Sequence, residues 1–219
     1  MRAWNVPAFS ASPLSLSTVY AAAEVFPGSC LLYKTTDGGL NWKKLPDAFF
    51  SLQSEARIVI HPGDDETPWV VARDLWKSSY CGARWRYLTA RPVIDPLTDM
   101  VVGQNSPDRL FVCGKALDHQ SHFFIADFGR SFDGGASWTY VPVTAAKSGA
   151  STIAVDSRDE NVIYVGGEKG GAGVLFMSLD GGAEWTEIGE TTFGSNPIEA
   201  VAAGEALIDI ENLPRVVRA

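Results

Sequence analysis

The chain has 219 residues, 46% of them hydrophobic and 20% charged, a balance that supports a folded globular protein and excludes a disordered one. Its net charge of −8, with 18 basic residues scattered along the chain, argues against a nucleic-acid-binding face, which would need clustered Lys and Arg. No run approaches the ~20 apolar residues of a membrane-spanning helix, and the opening Met-Arg-Ala-Trp-Asn-Val-Pro lacks the apolar core of a secretory signal, so a soluble chain without a signal peptide is expected and its compartment is open.

Taken in chain order, the sequence is a succession of short strands. Pro7-Ala8-Phe9 and Val19-Tyr20-Ala21 read as the first pair, followed by Cys30-Leu31-Leu32-Tyr33 and Trp42-Lys43-Lys44-Leu45 as third and fourth strands. The same inner pair returns as Ile58-Val59-Ile60 with Trp69-Val70-Val71, as Met100-Val101-Val102 with Leu110-Phe111-Val112, and as Thr152-Ile153-Ala154-Val155 with Val162-Ile163-Tyr164-Val165. Val174-Leu175-Phe176-Met177 and Trp185-Thr186-Glu187-Ile188 then read as the third and fourth strands of the last full unit. No helical period interrupts them.

A motif marks the end of each unit. Thr35-Thr36-Asp37-Gly38-Gly39-Leu40-Asn41-Trp42, Ser131-Phe132-Asp133-Gly134-Gly135-Ala136-Ser137-Trp138 and Ser178-Leu179-Asp180-Gly181-Gly182-Ala183-Glu184-Trp185 all read Ser/Thr-x-Asp-Gly-Gly-x-x-Trp. A fourth copy, Ser78-Ser79-Tyr80-Cys81-Gly82-Ala83-Arg84-Trp85, keeps Ser78, Gly82 and Trp85 but has Tyr80 in place of the Asp. The tryptophans are 43, 53 and 47 residues apart, the length of a four-stranded propeller blade. Glycine pairs supply the positive φ of a tight hairpin, an Asp just before them can accept the turn's unpaired backbone N–H groups, and the Trp can fold its ring over the loop. Thr35, Asp37, Gly39, Trp42, Ser131, Asp133, Gly135, Trp138, Ser178, Asp180, Gly182 and Trp185 are therefore read as structural. A catalytic carboxylate is needed once, whereas this one recurs at equivalent positions.

These motifs resemble the Asp-box, or BNR-repeat, family of β-propellers, and the likeness extends over nearly the whole chain. It implies an all-β propeller of four-stranded antiparallel blades at about 1–47, 48–90, 91–144 and 145–190, with a partial fifth at 191–219, in a single domain. The fifth rests on Ala206-Leu207-Ile208-Asp209-Ile210 and Arg215-Val216-Val217-Arg218, which repeat an inner pair and leave an open sheet edge. A further C-terminal segment, another protein chain, or the strand Arg2 to Val6 closing a five-bladed ring would complete it.

The family spans sialidases, xyloglucanase-type glycoside hydrolases, sortilin-type receptors and photosystem II assembly factors, so the resemblance implies architecture more than activity. Arg57-Ile58-Val59 resembles the Arg-Ile-Pro element of sialidases, with Val59 in place of Pro, and Arg73-Asp74 follows it. Asp64, Asp65 and Glu66, and the matching Asp156, Asp159 and Glu160, are expected in solvated turns. Asp95, Asp99, Asp118 and Asp127 fall in the longest stretch between motifs, where loops carrying function are often inserted. His119 and His122 are read as exposed loop residues, with Arg57, Arg73, Asp118 and His119 the ligand candidates. Trp76, Tyr87 and Tyr140 are candidate exposed platforms for sugar rings.

No metal site is indicated, since Cys30, Cys81 and Cys113 form no Cys-x-x-Cys pair, and no cofactor motif is present: the paired glycines 166–167 and 170–171 flank strands rather than cradle a phosphate. The reading that follows is a non-enzymatic propeller serving as a protein-interaction or assembly module, with no catalytic residue assigned. The alternative is a sialidase- or xyloglucanase-like glycoside hydrolase, or a carbohydrate-binding propeller with an oligosaccharide ligand.

Overall fold

In the computed structural model, residues 6–26, 29–51, 57–72, 74–88, 94, 96–120, 122–188 and 198 are described, the backbone alone at 25, 26, 47–51 and 145. Short apolar runs, rich in Val, Ile, Phe and Ala, form fifteen antiparallel strands here. Some, such as Arg57–His61, bury alternate residues, and others, such as Leu110–Asp118, are buried on both faces over most of their length. Arg73, the strands expected at 206–210 and 215–218, and most of the fifth unit lie outside the described residues. No helix among the described residues is long and apolar enough to cross a membrane.

The chain divides into two compact units, Met1–Thr89 and Ala90–Ala219. The first holds two four-stranded sheets. One is built from β1 (Ala8–Ala11), β2 (Val19–Phe26), β3 (Ser29–Thr35) and β4 (Lys43–Ser51), in the order β1-β2-β3-β4. The other is β5 (Arg57–His61), β6 (Asp64–Ala72), β7 (Asp74–Ser79) and β8 (Arg84–Leu88), again in sequence order. Register sets the faces: Ala8, Ala22 and Leu32 stand in one cross-strand row, and Phe9, Ala21 and Tyr33 in the next. The first row, with Tyr20, Cys30 and Leu45, packs into a core with Ile58, Ile60, Val70 and Ala72 of the second sheet. The two sheets therefore stack face to face.

The second unit is one seven-stranded sheet, ordered β15-β14-β13-β12-β11-β10-β9. Its members are β9 (Leu97–Val102), β10 (Leu110–Asp118), β11 (Phe123–Ser131), β12 (Thr139–Val155), β13 (Ile163–Lys169), β14 (Ala172–Ser178) and β15 (Thr186–Ile188). β12 is 17 residues long and serves two repeats. Its first half pairs with β11, as fourth strand of the third repeat, and its second half from Ser148 pairs with β13, as first strand of the fourth. The blade boundary expected between 144 and 145 thus falls inside a continuous strand. Phe111, Phe128 and Val143 of the third repeat and Ile153, Val165, Val174 and Phe176 of the fourth share one core.

Several carboxylates lie elsewhere than in the solvated loops expected of them. Asp64 and Asp65 open β6 instead of sitting in a turn, Asp64 accepting from Glu66 N at 2.8 Å and Thr67 Oγ1 at 2.6 Å. Asp99 and Asp127 lie in β9 and β11, buried, and so belong to blade strands rather than to an inserted loop, while Asp95 lies outside the described residues. Glu160 is buried as well. Its Oε1 accepts from Asn105 N at 2.7 Å and Ser106 N at 3.1 Å, and Oε2 meets Arg109 Nη1 at 3.5 Å, tying the fourth repeat to the third.

Candidate interaction surfaces

The Asp-Gly-Gly turns come first, because their hydrogen bonds decide what their carboxylates can do. Thr35 Oγ1 donates to Asp37 Oδ1 at 2.7 Å and accepts from Gly39 N at 3.0 Å, while Asp37 accepts from Asn41 N at 2.9 Å and Asn41 Nδ2 at 2.8 Å. Ser131 and Asp133 repeat this at 2.8 Å, with Gly135 N and Ser137 N as donors, and Ser178 with Asp180 repeats it using Gly182 N and Glu184 N. Bonds from the Asn41 amide and side chain hold the Asp37 carboxyl at about 2, and those from Ser137 hold Asp133 at about 2, below the usual carboxylate range. Each carboxylate is thereby committed to its own loop, ionised, with little capacity left to move a proton near neutral pH.

The second turn differs. With Tyr80 in the Asp position, Ser78 Oγ donates instead to the carbonyls of Ser79 and Arg84. Tyr80 and Cys81 adopt φ of 56° and 58°, left-handed values that cost residues with a Cβ about 1–2 kcal/mol each. The Tyr80 side chain is 70% exposed. Trp85 Nε1 still bonds Gly82 O at 3.0 Å, as Trp42 bonds Gly39 O at 3.1 Å, so the indole folds over its hairpin in both.

Turns also differ in what they rest on. In the fourth repeat Gly182 lies flat against the Phe128 ring, where a Cβ would come within 2.1 Å, and Trp185 meets the same ring edge-on at 5.0 Å. Arg130 Nη1 donates to Gly181 O at 2.6 Å. In the second repeat Gly82 lies against Leu45 of the first sheet, where a Cβ would come within 2.5 Å. Each of these turns is seated on the preceding repeat. The turn of the first repeat has no such seat among the described residues: a Cβ on Gly39 would meet nothing nearer than its own Trp42, at 3.8 Å, and Trp42 is 45% exposed.

Two surfaces of the first unit follow from this. One is the outer face of the first sheet, an apolar groove of about 600 Å³ lined by Val6, Phe9, Val19, Ala21, Tyr33 and Trp42, with Phe9 73% exposed. The other is a more polar cleft of about 860 Å³ between β4 and the Tyr80-Cys81 turn.

Of the ligand candidates, Arg57 belongs to the first unit and Asp118 and His119 to the second. Arg57 is half-buried on β5, and Asp118 closes β10 with its Oδ1 accepting from Gln120 N at 3.2 Å. His119 and His122 are exposed in the turn that follows. No group of three or more His, Cys, Asp or Glu among the described residues stands close enough to hold a metal ion. The three aromatic platforms are largely engaged. Trp76 and Tyr87 pack edge-to-face at 5.1 Å, and Tyr140 is half-buried against Gly129.

No family model matches this chain, and no curated protein does. Among solved structures the chain is similar to an ancestral GH74 enzyme, at a TM-score of 0.64 and 18% identity over 84% of this chain and 24% of that one. It is also similar to TolB from Acinetobacter baumannii, at a TM-score of 0.56 and 13% identity over 83% of this chain and 42% of that one. Likeness at such identity establishes fold alone: successive four-stranded antiparallel sheets of the β-propeller kind. The chain spans less than half the length of either protein.

Proposed function

We propose that this chain is a non-enzymatic propeller domain of Asp-box blades, working as a protein-interaction module whose first blade receives a β-sheet from another chain. The supporting observation is the outer face of the first sheet, where a row of apolar side chains and an exposed indole have the character of a blade interface with no partner sheet among the described residues of the same unit. The first sheet is covered on one side by the second, and in the fourth repeat residues on both faces are buried, Val165 and Phe176 on one and Tyr164 and Leu175 on the other. A sheet placed against Phe9 and Tyr33 would remove that apolar area from water, at roughly 25 cal/mol per Å². It would also give Trp42 a seat of the kind Phe128 gives Trp185.

The test is capture of a β-sheet protein by the immobilised chain, with Phe9→Asp and Tyr33→Asp together abolishing it. A monodisperse monomer in light scattering that captures nothing and hydrolyses an oligosaccharide would overturn this reading in favour of a glycoside hydrolase.

A further inference from the structure

The cleft between β4 and the second turn is lined by Lys34, Lys43 and Lys44, by the exposed rings of Trp42 and Tyr80, and by Cys81. Its charge runs against that of the chain, which is −8 overall. The carboxylate at its margin, Asp37, is held ionised by Thr35 and Asn41 and offsets one of the three positive charges, so the lining stays positive. Lys34 sits over the Tyr20 ring at 5.0 Å, and among the described residues Lys43 and Lys44 make no ion pair or side-chain hydrogen bond.

One wall of this cleft is a sheet edge. β4 pairs with β3 on one side, and no described strand lies on the other, so backbone N–H and C=O groups of β4 face outward. Lysines on an open edge repel a basic strand and would be desolvated unpaired by an uncharged one, whereas an acidic strand pairs their charge. Alternate side chains of an added strand point to opposite faces, so carboxylates at successive positions would meet Lys43 on one face and Lys44 on the other.

The opposite wall carries the second observation. At this one turn a carboxylate and a glycine of the repeat are replaced by Tyr80 and Cys81, both in left-handed backbone. The replacement removes a negative charge from the cleft, presents a ring to it and leaves strain in the loop. Strain retained at one copy of a repeat points to a role that the other copies lack.

We propose that this cleft binds an extended acidic peptide segment, added along β4 with its carboxylates on Lys43 and Lys44 and an apolar residue against Trp42 or Tyr80. The inference rests on the interaction-module reading but shares only Trp42 with the outer-face groove and is tested at Lys43, Lys44, Tyr80 and Cys81, so polyglutamate binding and sheet capture fail separately.

Fluorescein-labelled poly-L-glutamate, titrated with the full chain in an anisotropy assay, is the probe, with polygalacturonate of matched charge as the competing arm. Binding of polyglutamate that weakens with salt, and at least tenfold with Lys43→Glu and Lys44→Glu together, is expected. Tyr80→Asp with Cys81→Gly restores the repeat's own turn, and it should raise the melting temperature while weakening binding severalfold. Equal or tighter binding of polygalacturonate would overturn the peptide assignment in favour of a glycan. Unchanged affinity in the lysine pair, or a more stable Tyr80→Asp/Cys81→Gly variant that binds as before, would overturn the site.

Discussion

The turns of the first and fourth repeats share their motif and the Ser/Thr–Asp and backbone hydrogen bonds within it, yet one is exposed and the other is built into a core. Gly181 and Gly182 are buried and Trp185 rests on Phe128, whereas Gly38 is exposed and Trp42 is half in solvent. Local chemistry folds the loop in both cases, but only the fourth has a neighbour against which the folded loop packs. A motif of this type has two separable roles, closing its own hairpin and joining it to the repeat before.

The strongest way to break the comparison is to empty the seat. Phe128→Ala should destabilise the second unit by about 3–5 kcal/mol, the cost of a large cavity, while Trp42→Ala should cost the first unit far less. Denaturant midpoints read on fragments of the melting curve would separate the two. Next is Gly182→Ala, which combines overpacking against the Phe128 ring with left-handed backbone for about 3 kcal/mol, against about 1 kcal/mol for Gly39→Ala, where the strain is conformational alone. Equal losses at the two glycines would show that the seat contributes nothing.

Beside that seat, Asp127 is buried, and desolvation raises its carboxyl to about 6, outweighing the bond from Phe128 N. Because the folded value lies above the ordinary one of 3.8, the second unit is relatively favoured when this group is protonated, and that advantage fades as pH climbs through about 6. Asp127→Asn should therefore stabilise the unit by about 2–3 kcal/mol at pH 8 and by almost nothing below pH 4, as scanning calorimetry at the two pH values would show. The smallest effect belongs to the turn carboxylates. Since Asp37 and Asp133 are held near 2, their contribution is present above about 3.8 and fades as pH falls through about 2. Asp37→Asn should lower the melting temperature at pH 7 by less than any change above, and leave it unaltered near pH 2.

Much of this architecture is legible in the residues, because it is local. The Ser/Thr-x-Asp-Gly-Gly turn is satisfied within its own eight residues, and the apolar alternation of the inner strands follows from a period of two. What escapes a linear reading depends on partners distant in the chain. Glu160 sits among Asp156 and Asp159 in what reads as a solvated turn, yet its oxygens serve backbone amides of residues 105 and 106. Asp127 stands in a strand that its own sequence, Ile125-Ala126-Asp127-Phe128, scarcely distinguishes from a connecting segment. The open cleft was equally hidden, since Tyr80 reads as the loss of a motif residue and its ring gains meaning only beside Lys34, Lys43 and Lys44. A cue was nonetheless present: the one substituted turn faces two consecutive lysines in the preceding repeat.

The continuity of β12 couples the third and fourth repeats mechanically. A cut between Thr139 and Pro142 leaves the third repeat without its outermost strand, and a cut between Ser148 and Val155 leaves the fourth without its innermost. Tension applied along the chain would likewise have to unzip two ladders sharing one backbone. Whoever would duplicate, delete or exchange one of these repeats alone must join the chain within the few residues, 143–146, that stand outside both ladders.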